Sequence, residues 1–206
     1  MKLVLSILLS VYLLASCAEE SDSLIHEKTA NEGSIKGRVY TSEKFGWSIN
    51  IPDSWEIVTS TSEIDEIREL GRAMINDTDV DVPQGVEPIK LLYAKKGLAS
   101  IIAIAERNTL KNDVSISQQA YAQKQVITKM YDTQGFLIME SKVDEGILGG
   151  KECGIVRFVV GQKPNQFFQI YYVFKMKEYW FSIVATSDNN EDRDEIYKAI
   201  NECTFN

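Results

Sequence analysis

Apolar and polar residues alternate most regularly over positions 45–51. The apolar members of this stretch are Phe45, Trp47, Ile49 and Ile51. Alternation with a period of two places their side chains on one face of a β-strand. Pro52 has no backbone N–H to donate to a neighbouring strand, so the strand is predicted to end there, before a turn that leads to Trp55. The pattern predicts the first long strand of a sheet and not an active site.

The same alternation, interrupted by turn residues, predicts one short strand and three β-hairpins. The short strand covers 37–40, and the hairpins pair 89–94 with 100–105, 136–143 with 152–160, and 166–175 with 179–186. Gly97 supplies the turn of the first hairpin. Gly146 and the pair Gly149 and Gly150 lie in the turn of the second. The stretch 101–105 is apolar without alternation, which indicates a strand buried on both faces.

A spacing of three and four residues between apolar positions predicts three helices. They cover 63–76, 115–131 and 190–202. Ser60 and Glu63 have the spacing of a capping box before the first helix, and Ser115 and Gln118 have it before the second. The first turn of the last helix is acidic, as the helix dipole favours, and its apolar face extends to Cys203.

Aromatic residues are concentrated in the last hairpin. Phe168 and Tyr172 share one face of the strand 166–175, whereas Phe167 and Tyr171 share the other. A ligand cleft is one interpretation of these side chains, and a core of paired strands is the one we prefer. Because both faces of the sheet must then be covered, the sequence predicts an α+β fold, an antiparallel β-sheet of about six to seven strands sandwiched between helices.

The N-terminus has the composition of a targeting segment. Lys2 precedes an apolar run over 3–14 that is too short to cross a membrane as a mature helix. The residues Ala15, Ser16 and Cys17 follow, and here the sequence resembles the bacterial lipoprotein signal, whose lipobox ends in the cysteine that receives the lipid. The resemblance implies a signal peptide over 1–16 and a diacylglyceryl and palmitate anchor on Cys17. An ordinary secretory signal that contains a cysteine is the alternative.

Residues 17–35 are polar and cannot bury a core, so we interpret them as the lipidated cysteine and a flexible tether. The single globular domain is then predicted over 36–206. Ala18 directly follows the lipidated position, and by resemblance to enterobacterial lipoproteins a residue other than Asp there implies the outer membrane. The formal net charge of the chain is −8. That charge argues against nucleic acid and against electrostatic binding to anionic lipid, so the lipid anchor is the predicted link to the membrane.

Two cysteines remain after Cys17. Cys153 and Cys203 could form a disulfide in an oxidising compartment, or they could be two separately buried thiols. The sequence gives no distance between them, so both alternatives stay open.

Asp77, Asp79 and Asp81 match the first three ligand positions of an EF-hand calcium loop. The sixth position is Val82, where the turn needs glycine, and the twelfth is Pro88, where a bidentate glutamate belongs. We therefore predict a solvated acidic loop and no cofactor, with the three aspartates kept only as metal candidates.

Catalytic motifs are missing from the sequence. It contains no GxSxG, HExxH, Walker or GxGxxG pattern. The one histidine of the chain, His26, falls in the tether, so a Ser–His–Asp or Cys–His site in the domain is excluded. We predict that the protein is not an enzyme.

The domain resembles the PsbP-like superfamily. The residues that carry the resemblance are the strand Phe45-Gly46-Trp47-Ser48-Ile49 with Pro52 and Trp55, the pair Tyr171-Tyr172, the strand 179–183 and the closing helix with Phe205. It covers about 38–206 and implies an antiparallel sheet between helices in an accessory or binding module. The predicted function is a lipid-anchored, non-enzymatic accessory or protein-binding module of the cell envelope with an envelope protein as partner. The alternatives are a small-ligand or metal carrier that uses a cleft beside the sheet, and an immunity or chaperone-like protein.

Overall fold

The structure is a computed structural model that describes residues 32–58, 88–108, 114–162 and 165–206. Its elements are β1 (Ser34–Lys36), β2 (Val39–Ser42), β3 (Trp47–Asn50), β4 (Glu56–Ile57), β5 (Ile89–Lys96), β6 (Ala99–Arg107), α1 (Ile116–Thr133), β7 (Ile138–Leu148), β8 (Lys151–Gln162), β9 (Asn165–Met176), β10 (Tyr179–Ser187), α2 (Asn190–Asn201) and β11 (Thr204–Phe205). The predicted helix over 63–76 lies outside the described residues, as do Cys17 and the aspartates Asp77, Asp79 and Asp81.

Two antiparallel sheets form the frame of the fold. The large sheet has seven strands in the order β4-β5-β6-β10-β9-β8-β7, and the small sheet has four in the order β1-β2-β3-β11. The predicted α+β class and the seven-stranded antiparallel sheet are confirmed. The three predicted hairpins are the pairs β5–β6, β7–β8 and β9–β10. The second hairpin is longer than predicted, because Gly146 lies inside β7 and only Gly149 and Gly150 form its turn.

The cover of the large sheet differs from the prediction on one side. The predicted strand over 45–51 does not join the large sheet but forms β3 of the small one, which packs on the large sheet together with α2. Trp47 and Ile49 are buried in this core, and the Trp47 ring lies 5.2 Å from the ring of Phe181 in β10. The small sheet is closed by β11 from the C-terminus, whose Phe205 pairs with Trp47. A sequence pattern read locally cannot give this long-range pairing.

The other face of the large sheet is covered by α1, which contacts β7, β8 and β9. The predicted capping box is confirmed, since the N-cap Ser115 accepts from the backbone of Gln118 and the Gln118 side chain accepts from Ser115. Gly154 permits the close approach of helix and sheet, because a Cβ at that position would lie 2.7 Å from the Cβ of Ala120. The buried face of α1 includes Gln123, which the apolar pattern did not predict.

The second helix, α2, begins at Asn190, where the sequence predicted it to begin. Asn189 is the N-cap, and its side chain accepts a hydrogen bond from the backbone N–H of Asp192 at 2.9 Å. Ile196, Ala199 and Ile200 face the core as predicted. In the described ranges, neither helix is long and apolar enough to cross a membrane.

Candidate functional site

A groove lies between α2 and the large sheet, on the same face as the small sheet. Its volume is about 190 Å³. The floor is apolar and consists of Val159 in β8, Phe168 and Ile170 in β9, and Ala185 in β10. Ile196 and Tyr197 of α2 form one wall. Arg157, Arg193 and Glu140 also line the groove, together with Phe158, Gln169 and Ser187.

Strand register and helix period explain why these residues meet. Arg157, Ile170 and Ala185 occupy one row across β8, β9 and β10. Val159 and Phe168 occupy the next row on the same face. Residues directly opposite in antiparallel strands point to the same side, so each row presents its side chains to α2. On α2, the positions of Arg193, Ile196 and Tyr197 are separated by three and four residues and therefore share a face.

Arg193 is held above an aromatic ring. Its guanidinium carbon lies 4.3 Å from the centroid of the Phe168 ring, which is a cation–π contact. It makes no ion pair with a carboxylate in the part of the chain that the structure describes. This guanidinium can therefore donate to an anionic or polar group that enters the groove.

Arg157 is fixed from the opposite side by Asp144 of β7. Its Nη1 donates a hydrogen bond to Oδ2 of Asp144, and Nζ of Lys142 lies 2.8 Å from Oδ1 of the same carboxylate. Hydrogen bonding from Lys142, together with the nearby Arg157, lowers the pKa of Asp144 below its ordinary value. The side chain of Arg157 is 41% exposed, so its remaining donors are open to solvent. The groove therefore combines two guanidinium groups with an apolar floor in a protein of net charge −8.

A polar contact docks α2 on the sheet beside the groove. Nζ of Lys96 lies 2.8 Å from Oδ1 of Asp192 and 3.2 Å from Oε1 of Glu195, and Nε1 of Trp55 donates to Glu195 at 2.6 Å. The hydrogen bonds from Trp55 and Lys96 lower the pKa of Glu195. Desolvation opposes the charge of Asp192, but hydrogen bonds from Lys96 and Asn189 outweigh it and lower the pKa of that carboxyl as well. These contacts set the position of the helix and hence of Arg193.

The predicted cysteines lie together in the core between the two sheets. Cys153 and Cys203 are free, buried thiols in one apolar cluster. Burial, and then the proximity of Cys203, raises the pKa of Cys153 to about 11. Burial also raises the pKa of Cys203. As free thiols they pack as small apolar side chains, and the disulfide between them stays a prediction.

Metal-binding side chains and buried carboxyl groups are two further kinds of candidate site. Among the described residues, no group of three or more His, Cys, Asp or Glu side chains is placed to hold a metal ion. Burial raises the pKa of the Glu106 carboxyl in β6 to about 9. It lies opposite Trp180 of β10 in the strand register. A single protonated carboxyl can donate a hydrogen bond, but it is not the pair of carboxyls that a glycosidase needs.

The sequence did not predict the groove residues. Arg157 and Arg193 belong to elements that are far apart along the chain, and no motif surrounds either of them. The helical spacing of Arg193 with Ile196 was the one local signal, since it placed a cation beside an apolar face. The aromatic strip, by contrast, is mostly core as preferred: Phe167, Tyr171 and Tyr172 are buried. Phe168 is the member of that set that lines the groove.

Known proteins resemble this chain in structure alone. The solution structure of cyanobacterial PsbP (CyanoP) from Synechocystis sp. PCC 6803 matches 84% of this chain and 98% of its own, with 12% identity and a TM-score of 0.47. LpqN, which is involved in cell envelope biogenesis of Mycobacterium tuberculosis, matches 77% of this chain and 82% of its own, with 12% identity and a TM-score of 0.40.

A crystal structure from Bacteroides thetaiotaomicron VPI-5482 matches 84% of this chain but 49% of its own length, with 12% identity and a TM-score of 0.42. No family model matches the sequence, and no curated protein matches it either. The likeness to PsbP is the one that the sequence resemblance implied. At this identity it concerns the fold and carries nothing about what the groove binds.

Proposed function

We propose that this chain is a lipid-anchored, non-enzymatic accessory module of the bacterial cell envelope, and that it holds a partner protein through the groove between α2 and the large sheet. The observation that carries the proposal is the placement of Arg157 and Arg193 above the apolar floor. Arginine and aromatic residues around a small apolar depression are typical of the residues that dominate binding energy in protein interfaces.

The size of the groove favours a partner protein over a metabolite. Pockets for small molecules commonly measure about 300–1,000 Å³ and enclose most of the ligand. The groove measures about 190 Å³, which suits one apolar side chain of a partner with a carboxylate beside it. The net charge of −8 would repel an acidic partner elsewhere on the surface, so the two arginines would select where it binds. A small-ligand carrier remains the alternative function, since the groove lies beside the sheet, where such a carrier would bind its ligand.

The anchor in this proposal rests on the order of residues at the N-terminus. A basic residue, an apolar run, two small residues and Cys17 follow one another as they do in bacterial lipoprotein signals. Several acyl chains on one cysteine, palmitate among them, would hold the protein stably at a membrane. Ala18 supports the outer membrane as the destination.

A crosslinking pull-down from membranes of the native host tests the proposal. The full chain is compared with Arg193→Ala and with Arg107→Ala, a matched control whose side chain is 53% exposed and paired to Glu178. We expect one envelope protein to be recovered in stoichiometric amount, to fall at least about tenfold with Arg193→Ala, and to be unchanged with Arg107→Ala. Cys17→Ala should leave the protein unprocessed or release it from the membrane fraction.

Three results would contradict the proposal. Equal recovery of the partner with both arginine variants would show that the groove does not bind the partner. A Cys17→Ala protein that is still processed normally and bound to the membrane would show that Cys17 does not carry a lipid anchor. A metabolite that raises the melting temperature of the wild type but not of Arg193→Ala, with no protein recovered, would establish the carrier function instead.

A further inference from the structure

Among the described residues, the long edge of the large sheet is unpaired. β7 is the last strand in the order of that sheet and has eleven residues, Ile138–Leu148, and no other described strand pairs with its outer side. The strand at the opposite edge, β4, has two residues. An unpaired edge presents a row of backbone N–H and C=O groups that another strand can satisfy. The eleven-residue edge is therefore a place where a second chain can extend the sheet.

Apolar side chains are exposed at both ends of this edge. Met139 is 58% exposed and Ile147 is 75% exposed, the two largest values among the large apolar residues that the structure describes. The residues between them carry charges of both signs, with Glu140, Lys142 and Asp144 on one face of the strand. The exposed apolar side chains at the two ends are surface that a second strand can bury.

A second copy of the chain can pair with β7 only in certain registers. The two copies are related by a two-fold axis perpendicular to the sheet if α1 is to stay on the same face in both. Residues directly opposite each other must then point to the same side of the sheet. The two-fold axis therefore sets one residue of β7 opposite the same residue of the second copy, and it cannot set two successive residues opposite each other. Each candidate register is therefore named by the residue on the axis.

The charges and the apolar ends select Val143 as that residue. An axis at Lys142, Asp144 or Glu145 sets that charge against its own copy, which is destabilising. An axis at Ser141 leaves Ile147 beyond the end of the opposing strand.

With the axis at Val143, all eleven residues of β7 overlap. Lys142 then faces Asp144 of the second copy, and Met139, which lies at the register shift of β7, comes close to Ile147 of the second copy. Opposite charges and apolar side chains each gain a cross-strand neighbour.

We propose that two copies of this chain associate through β7 in the register centred on Val143, so that the two large sheets form one continuous sheet. The pairing of β7 with β8 shifts register between Ile138 and Glu140. This irregularity confines regular pairing with the second copy to the middle of β7. The interface is therefore short, and the dimer forms at high local concentration. It uses the edge of the sheet and leaves the groove between α2 and the sheet open.

Cysteine trapping on the purified full-length chain tests the register. Ser141 of one copy lies opposite Glu145 of the other, where the Cα atoms of antiparallel partners are about 4.5–5.5 Å apart. Two Ser141 residues are four positions apart along the paired strands, roughly 13 Å, which is beyond the reach of a disulfide. We expect Ser141→Cys alone and Glu145→Cys alone to give no covalent dimer under mild oxidation. In an equal mixture of the two variants, the dimers that contain one copy of each variant should become covalently linked.

Other outcomes overturn the proposal. Self-crosslinking of Ser141→Cys or of Glu145→Cys would place the axis at that residue, and a mixture without covalent dimer would exclude the pairing. Ile147→Lys in both members of the mixture should abolish the mixed product, whereas Ile35→Lys, an exposed isoleucine of β1, should leave it unchanged. Circular dichroism of each variant checks that the fold is retained.

Discussion

The two faces of the large sheet are closed in different ways. On one face, α1 seals an apolar cluster in which a buried glutamine connects three hydroxyl groups. On the other face, the small sheet closes one end, and the shorter helix α2 leaves a groove lined by two arginines. The α1 face is covered along three strands and holds a buried polar network, whereas the α2 face keeps guanidinium donors at a groove that can bind a partner.

The seal on the α1 face depends on Gln169. Its Oε1 accepts hydrogen bonds from the hydroxyls of Tyr131 and Tyr171, and its Nε2 donates to Thr186 Oγ1 at 3.1 Å. All of these residues are buried. Burial raises the pKa of both tyrosines, so their hydroxyls stay protonated donors at every working pH. The glutamine cannot be removed without leaving two buried donors unpaired.

The largest effect is expected for Gln169→Ala. Each unsatisfied buried hydroxyl costs about 1–3 kcal/mol, and the substitution leaves two of them and a cavity, so the free energy of unfolding should fall by about 3 kcal/mol or more. Tyr131→Phe removes one hydroxyl donor, but Oε1 of Gln169 still accepts from Tyr171. The free energy of unfolding should therefore fall by only about 1 kcal/mol. Urea denaturation of both variants measures the difference. A smaller loss with Gln169→Ala than with Tyr131→Phe would contradict the role of the glutamine.

Local patterns predicted the parts of this contrast that are local. Alternation assigned Phe167 and Tyr171 to one face of β9 and Phe168 and Tyr172 to the other, and it located all three hairpins. Capping-box spacing found the start of α1. These features depend on neighbours along the chain, which the sequence displays directly. The small sheet was missed because it unites β3 with β11 from the opposite end of the chain.

The groove depends on relations that a sequence does not display. Arg157 and Arg193 come together only when β8 pairs with β9 in the observed register and α2 docks at the observed angle. The polar role of Gln169 was missed for the same reason, since its partners Tyr131 and Thr186 come from α1 and from β10. An isolated polar residue within an aromatic strand was a visible signal for a buried network, because an unpaired amide there would be costly.

A smaller effect is expected when acid weakens the docking of α2. The pKa values of Asp192 and Glu195 are lowered in the folded protein, so their charged forms stabilise it above the ordinary values of 3.8 and 4.5. That contribution is lost as the pH falls through the lower folded values. Asp192→Asn should therefore show less destabilisation than the wild type between pH 7 and pH 3, because one titrating group has been removed.

Melting temperatures measured across that range test the docking prediction. Asp132→Asn at the exposed end of α1 is the matched control, and its melting temperature should follow the wild type at each pH. The tyrosines of the α1 face do not titrate in acid, so a difference between Asp192→Asn and the wild type across this range reports on the contacts of α2. An identical pH dependence for Asp192→Asn and the wild type would show that the contact with Lys96 does not stabilise the helix.

The smallest effect on stability is expected for Arg193→Ala, which changes the open face alone. The residue gives up a cation–π contact with Phe168 that is worth about 0.5–1 kcal/mol when partly exposed, and no ion pair with a described carboxylate is lost. The free energy of unfolding should therefore fall by less than about 1 kcal/mol in urea. Arg193→Lys, which keeps the cation but not the planar donor group, should be closer still to the wild type in stability. A loss as large as that of Gln169→Ala would place Arg193 among the residues that hold the fold together, and weaker partner recovery with Arg193→Ala would then reflect unfolding and not the loss of a binding group.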